Sequence, residues 1–168
     1  MAPKKLDTPP SEVPVSRFEN ELTGSCLCGS ISVSIQDKEL FVGKKRGHLC
    51  HCANCRKVAG SHVASNLLIE EEKVKIEDKN GIFKCYLDGE TLSGNKLERW
   101  FCGQCGNPIK SVSPLYPGKV ILKMGIFPRI PEPEAEAYSV NRQVWEGRNK
   151  DVKMYATKNF GDVYTGDL

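Results

Sequence analysis

Seven of the chain's eight cysteines fall into three tight clusters, Cys26-x-Cys28, Cys50-x-Cys52-x-x-Cys55 and Cys102-x-x-Cys105. No other feature narrows the fold as much, because thiols spaced this closely end up sharing either disulfides or a metal ion. Eight cysteines in 168 residues fall below the roughly 8–10 per cent of small secreted disulfide scaffolds. The N-terminal stretch MAPKKLDTPPSEVPVSRFEN has no continuous apolar core of the kind a secretory signal carries. In a reducing compartment clustered thiols are more often metal ligands than disulfides. The expectation is a soluble, metal-holding protein of the cytoplasm, with a nuclear location also open. The most apolar stretch, VILKMGIF at 120–127, is interrupted by Lys123 and is far shorter than the roughly 20 residues that cross a bilayer, so no membrane partner is expected.

The spacing says how the thiols divide. In FCGQCGN the CxxC is followed by Gly106, the pattern of a tight turn that aims two thiolates inward while a glycine takes up a left-handed backbone angle. In CLCG the cysteines are two apart, and on an extended segment residues i and i+2 share a face. Each pair supplies half a tetrahedron. Joined, Cys26, Cys28, Cys102 and Cys105 make a closed four-thiolate structural site that ties distant parts of the chain together. Cys50, Cys52 and Cys55 are then left as a second site with three protein ligands and an open position, as expected of catalytic zinc. Spacing alone leaves open a site that mixes the middle cluster with another pair. An all-sulfur donor set favours zinc over magnesium, calcium or manganese, with an iron–sulfur cluster as the lesser possibility. The cofactor expectation is two zinc ions.

Length and pattern predict one mainly β domain with short helical turns. The run SCLCGSISVSI at 25–35 alternates Ile31, Val33 and Ile35 with serines, the period of a half-buried strand opened by the first cysteine pair. Further strands are expected at 62–69, 73–77, 82–88, 96–102, 107–113 and 119–125. Residues 53–60 read as one or two helical turns, and PEPEAEAY at 131–138 as a loop or short helix. Residues 1–20 are expected to be a disordered lead-in, 21–156 the folded zinc domain with Val144, Trp145, Val152 and Tyr155 packing on the sheet, and 157–168 a loosely held tail. A net charge of +3 is too mild to mark a nucleic-acid binder.

The blocks GSCLCGSISVSI, CHCANCRKVAGS and FCGQCGNPI, in this order, resemble the signature blocks of the glutathione-dependent formaldehyde-activating enzymes and the related centromere-protein-V type domains. The resemblance covers roughly residues 20–150. It implies an all-β, tent-like zinc fold, with structural zinc on Cys26, Cys28, Cys102 and Cys105 and a second zinc on Cys50, Cys52 and Cys55. The implied activity is that of a carbon–sulfur lyase similar to S-(hydroxymethyl)glutathione synthase, with glutathione or a glutathione adduct as partner; members also include lyases acting on other glutathione adducts. Arg142 and Trp145 match the family's closing pattern. Two departures stand out: Gly125 is followed by IFPRIPEPE where members often carry Leu-Asp-Asp, and Tyr138-Ser139 replace a common His-Ile pair. The rival reading is a non-catalytic zinc module that contacts nucleic acid or protein.

Among the remaining residues, Arg56 and Lys57 directly follow the third ligand of the middle cluster and are candidates for holding substrate carboxylates. The run Lys44, Lys45, Arg46 has the same possible use and reads more simply as a solvated basic face. His51, between two ligands, is expected to point away from the metal, and His48 and His62 are possible proton carriers. Cys85 is in phase with Phe83 and Leu87, which predicts a buried, inert thiol. Trp100 and Trp145 read as core or pocket wall.

Overall fold

The computed structural model describes residues 9–43, 45–158 and 161–166. The fold is mainly β, with two sheets and a few short helices. Strands β1 (Leu22–Ser25), β2 (Ile31–Ile35) and β5 (Val74–Asp78) form a small antiparallel sheet in the order β1-β2-β5. The large sheet uses β3 (Gly47–Cys50), β4 (Ala64–Glu70), β6 (Phe83–Asp88), β7 (Leu97–Cys102), β8 (Pro108–Val112), β9 (Lys119–Lys123), β10 (Pro133–Ala137) and β11 (Lys153–Met154). Its order is β11-β10-β3-β4-β9-β8-β7-β6. The sole α-helix among the described residues, α1 (Ala53–Ala59), follows β3. None of the described helices is long and apolar enough to cross a membrane.

The core lies between the sheets. Ile31, Val33 and Ile35 of β2 turn one face inward, as their alternation with serine requires, and meet Leu67 and Ile69 of β4 and Val120 and Leu122 of β9. Between Trp100 and Phe101 of β7 the pairing with β8 shifts register. That irregularity lets Ile109 enter the core while Ser111, two residues on, lines a cleft on the other side of the sheet.

Several expectations are corrected here. The first cysteine pair does not open a strand: Cys26 and Cys28 sit in the turn between β1 and β2, with Gly29 at φ +75°. Residues 133–137 are a strand, because β10 pairs in parallel with β3 on one side and β11 on the other, which satisfies its backbone despite weak β-propensity. From Pro9 to Asn20 the lead-in carries two short 3-10 turns and sends Val13 and Phe18 into the core; residues 1–8 lie outside the described residues. Residues 161–164 fold back, with Tyr155 bridging to Val163 and the Tyr164 amide donating to the Met154 carbonyl at 2.9 Å. Cys85 is exposed, since β6 is an edge strand whose Tyr86 and Leu87 are also uncovered. Trp145 is 71% exposed, against His62 with ring centroids 5.1 Å apart, and Val144 is exposed too.

Two buried polar assemblies hold the frame. The first is the four-thiol cluster, in which the β1–β2 turn meets the β7–β8 turn. The sulfurs of Cys26, Cys28, Cys102 and Cys105 all lie within 4.8 Å of one another, with Cys26 to Cys28 at 3.5 Å and Cys28 to Cys102 at 3.6 Å. Sulfurs about 2.3 Å from a tetrahedral zinc would stand roughly 3.8 Å apart, so the group fits that ion. Gly106 at φ +74° permits the knuckle, and the Leu27 amide donates to Asn107 Oδ1 at 3.1 Å across the two turns.

The second is ionic and lies at the far end of the large sheet. Glu136 of β10 accepts from Asn149 Nδ2 at 2.6 Å, pairs with His51 Nε2 at 3.1 Å and bonds Arg142. Glu146 Oε2 lies 3.5 Å from His51 Nδ1 and 3.6 Å from Arg142 Nη2. All four of these charged or titratable side chains are buried. Burial alone would raise the Glu136 carboxyl, but the bonds from His51 and Asn149 and the Arg142 charge hold it down at about 2.

Replacing Cys102 with Ser is expected to lower the unfolding midpoint by on the order of 10 °C, since the binding energy of a metal held by these four thiols would be folding energy. Calorimetry with and without a strong chelator checks this; a change under about 2 °C would mean the cluster does not join the sheets. Glu136→Gln leaves buried Arg142 with only the more distant Glu146 carboxylate, at 3.6 Å, as counter-charge and is expected to cost about 3 kcal/mol at neutral pH. Because the folded pKa lies below the ordinary 4.5, the ionised group's contribution is present in full above that value and is lost as pH falls toward 2. Urea titrations across that window should show the gap between wild type and variant closing; a constant gap would refute the assignment.

Candidate metal centre and cleft

The structure brings Cys50, Cys52 and Cys55 together, apart from the other four clustered thiols, with their sulfurs within 4.8 Å of one another. Cys50 ends β3. Cys52 is the N-cap of α1, its sulfur accepting from the Cys55 amide at 3.3 Å, and Cys55 lies in the helix's first turn. A tight strand-to-helix turn thus aims all three inward.

Their chemistry calls for a cation. Three thiols at this distance cannot all ionise unaided. Hydrogen bonds from Cys50 and Cys52, with Lys123 and Arg99 nearby, hold Cys55 far below an ordinary thiol, while Cys50 is driven up by bonding to Cys52 and Cys55 and by burial. A divalent ion resolves that conflict by keeping every sulfur as thiolate. Both cysteine clusters therefore suit metal ions, and their donor sets suit zinc.

The three sulfurs open on a cleft over the face of the large sheet that points away from the core. Alternation along β3 and β10 decides what faces it. His48 and Cys50 look into the cleft beside Ala137, whereas Leu49, His51 and Glu136 look to the opposite side. His51 accordingly points away from the thiol cluster and into the ionic assembly.

Next along the floor come Asn66 of β4, Ile121 and Lys123 of β9, Ser111 of β8 and Arg99 of β7. Lys123 Nζ donates to Asn66 Oδ1 at 2.8 Å, and burial lowers its pKa. Arg99 grips Asp88 through Nε at 2.7 Å and Nη2 at 2.6 Å, and Asp88 also accepts from Asn54 of α1 at 3.0 Å. That chain of contacts fixes the helix over the floor. Burial, with Lys123 beside it, lowers His48 to about 4. His48 Nδ1, Arg99 Nη1 and Ser111 Oγ are buried with no hydrogen-bond partner.

The upper wall is more apolar, with Leu92, Leu97, Leu115 and Tyr116. Tyr138 closes the cleft beside the thiols. Its backbone is left-handed at φ +56°, ψ +43°, a strained setting for an aromatic residue, held by its amide donating to Thr157 at 2.6 Å. Burial and the facing thiols push its hydroxyl up to about 12.

Arg56 and Lys57, the sequence candidates for substrate carboxylates, stand in the last turn of α1 and do not line the cleft. Lys45 pairs with Glu132, Arg46 with Asp37 and Glu70, and Lys44 lies outside the described residues. Trp100 stacks on Phe83, away from the cleft, with its indole N–H on Glu98. Arg99, Ser111 and Lys123 were not legible as site residues, a charge within the apolar run VILKMG being their one trace, while Tyr138 showed only as part of the Tyr138-Ser139 departure from the family pattern.

No curated protein matches the chain. A solved structure of a Rhodobacter sphaeroides protein is similar at 18% identity and a TM-score of 0.48, over 64% of this chain and 89% of its own. The sequence profile described as glutathione-dependent formaldehyde-activating enzyme matches residues 21–145, a span that contains all seven clustered cysteines, and the chain belongs to that family.

Proposed function

We propose that the chain is a zinc-dependent carbon–sulfur lyase that forms or cleaves a thiol adduct such as S-(hydroxymethyl)glutathione at the Cys50, Cys52, Cys55 centre. One observation carries this reading: the three sulfurs line a cleft and, among the described residues, no fourth His, Cys, Asp or Glu donor joins them. Three protein ligands and an open position are the pattern of catalytic rather than structural zinc. A non-catalytic zinc module needs no such cleft.

A zinc ion held there would supply Lewis acidity toward an oxygen and hold a sulfur as thiolate. The rest falls to side chains. Tyr138 stays protonated near neutral pH, so it serves as a hydrogen-bond donor to an oxygen and not as a base. His48, neutral and with Nδ1 free, accepts the proton a thiol gives up, and its depressed pKa makes it a relay for that proton rather than a store. Leu92, Leu97 and Leu115 limit water around the reacting atoms. On this reading Arg56 and Lys57 meet the outlying carboxylates of a glutathione-sized substrate beyond the cleft, and the cytoplasm's reducing conditions keep the seven thiols available.

Cys52→Ser is expected to reduce zinc from two ions per chain to one and to slow adduct formation from formaldehyde and glutathione, followed by NMR, at least 100-fold. Loss of one zinc with turnover intact would sink the proposal. Tyr138→Phe is expected to retain both ions while kcat falls about 100-fold; an unchanged kcat would remove the tyrosine from the mechanism.

A further inference from the structure

The cleft floor holds more hydrogen-bonding capacity than the chain itself uses. Arg99 on β7 is the direct cross-strand partner of Ser111 on β8, and Ser111 of Ile121 on β9, with Lys123 two residues farther along the same face. Neighbouring strands lie about 4.8 Å apart and alternate residues about 6.7 Å, so Arg99 and Ser111 are adjacent on the floor and Lys123, which leans to Asn66 of β4, lines the same cleft one strand farther on. Arg99 is 7% exposed and Ser111 fully buried, yet Arg99 Nη1 and Ser111 Oγ have no partner. Buried donors are ordinarily satisfied, and leaving one unmade costs about 1–3 kcal/mol. Asp88 occupies the other edge of the guanidinium and fixes its direction. The cleft lining includes Arg99, Lys123 and Lys158 and, among the described residues, no Asp or Glu.

We propose that Arg99, Ser111 and Lys123 form an anion subsite that takes a carboxylate of the thiol substrate, beside the sulfur held at the Cys50, Cys52, Cys55 centre. The proposal rests on the thiol-adduct reading above and narrows it to thiols with a carboxylate close enough to the sulfur to enter the same cleft. One free guanidinium N–H, one hydroxyl and an ammonium shared with Asn66 match the two oxygens of a carboxylate. Arg99 also faces Cys55 electrostatically, so its role as support for the thiol cluster must be separated from its role toward substrate.

The test is calorimetric binding of 3-mercaptopropionate and of its methyl ester to the zinc-loaded full chain. The acid is expected to bind at least tenfold tighter than the ester. Arg99→Gln should reduce that preference to twofold or less while keeping both zinc ions. Ser111→Ala, a small change on a neighbouring strand that keeps the fold even where Arg99→Gln does not, should weaken acid binding three- to tenfold and leave ester binding unchanged. Equal binding of acid and ester by wild type, no saturable binding of either, or preference retained in both variants overturns the subsite. Loss of a zinc ion in Arg99→Gln with Ser111→Ala behaving as wild type would assign Arg99 to the thiol cluster instead, which also overturns it. Failure to turn over any thiol adduct, with the acid preference and its variant dependence intact, refutes the lyase reading and leaves the subsite standing.

Discussion

Crowded sulfur charge is the constraint on which the rest of this structure depends. Each thiol group packs its sulfurs within 4.8 Å, and each is electrostatically split when left to itself. Hydrogen bonds from Ser30 bring Cys28 down to about 6, while burial pushes Cys102 up to about 12. In the second group Cys55 is held ionised and Cys50 is driven the other way. A divalent cation removes both conflicts at once. A metal shared by the turn carrying Cys26 and Cys28 and the turn carrying Cys102 and Cys105 would give them their reason to meet, and folding and metal binding would then be one equilibrium.

The same strands that carry the second thiol group also lock its register. On β3, His48 and Cys50 face the cleft while His51 turns to the other side, and on β10 Ala137 and Glu136 divide in the same way. A one-residue slip would exchange the two faces of a strand. It would drive the Glu136 carboxylate toward the thiols and take from Arg142 one of its two carboxylate partners. The ionic assembly of His51, Glu136, Arg142 and Glu146 thus contributes to the metal centre without touching it. Ala135 and Ala137, small and buried, keep side-chain bulk out of the space beside the sulfurs.

What the sequence made legible follows from how local each signal was. Strands such as β2, β4, β7 and β9 showed themselves because apolar residues alternate or run together over five or more positions, and α1 because its residues lie between a cysteine cap and Gly60. Spacing paired Cys26 with Cys28 and Cys102 with Cys105 but left open which clusters share a site, and it placed the first pair on an extended segment where the structure has a turn. By contrast, β3 is short and carries Gly47 and His48, and PEAEA reads as a strand only once parallel neighbours flank it. Periodicity placed Cys85 on an apolar face and cannot say whether that face is covered; at an edge strand it is not. The cleft was hidden for a related reason. Its floor draws on five strands, and the Asn66 that receives Lys123 lies 57 residues before it.

Several unfavourable features gather at one cleft. Tyr138 in a left-handed conformation, Lys123 buried with its pKa lowered, and the unpartnered atoms of His48, Arg99 and Ser111 all border the same cleft as the three-thiol centre. The four-thiol centre, by comparison, is closed by its own ligands, and the ionic assembly sets carboxylates against its cations although His51 Nδ1 and Arg142 Nε there are themselves without a hydrogen-bond partner. Strain and unmet hydrogen bonds persist only where the surrounding structure is stable enough to hold them, and they concentrate where a ligand completes them. The division of the seven clustered cysteines into four and three is therefore also a division of labour: the closed set supplies rigidity, and that rigidity offsets the cost of keeping donors around the open set unsatisfied until substrate arrives.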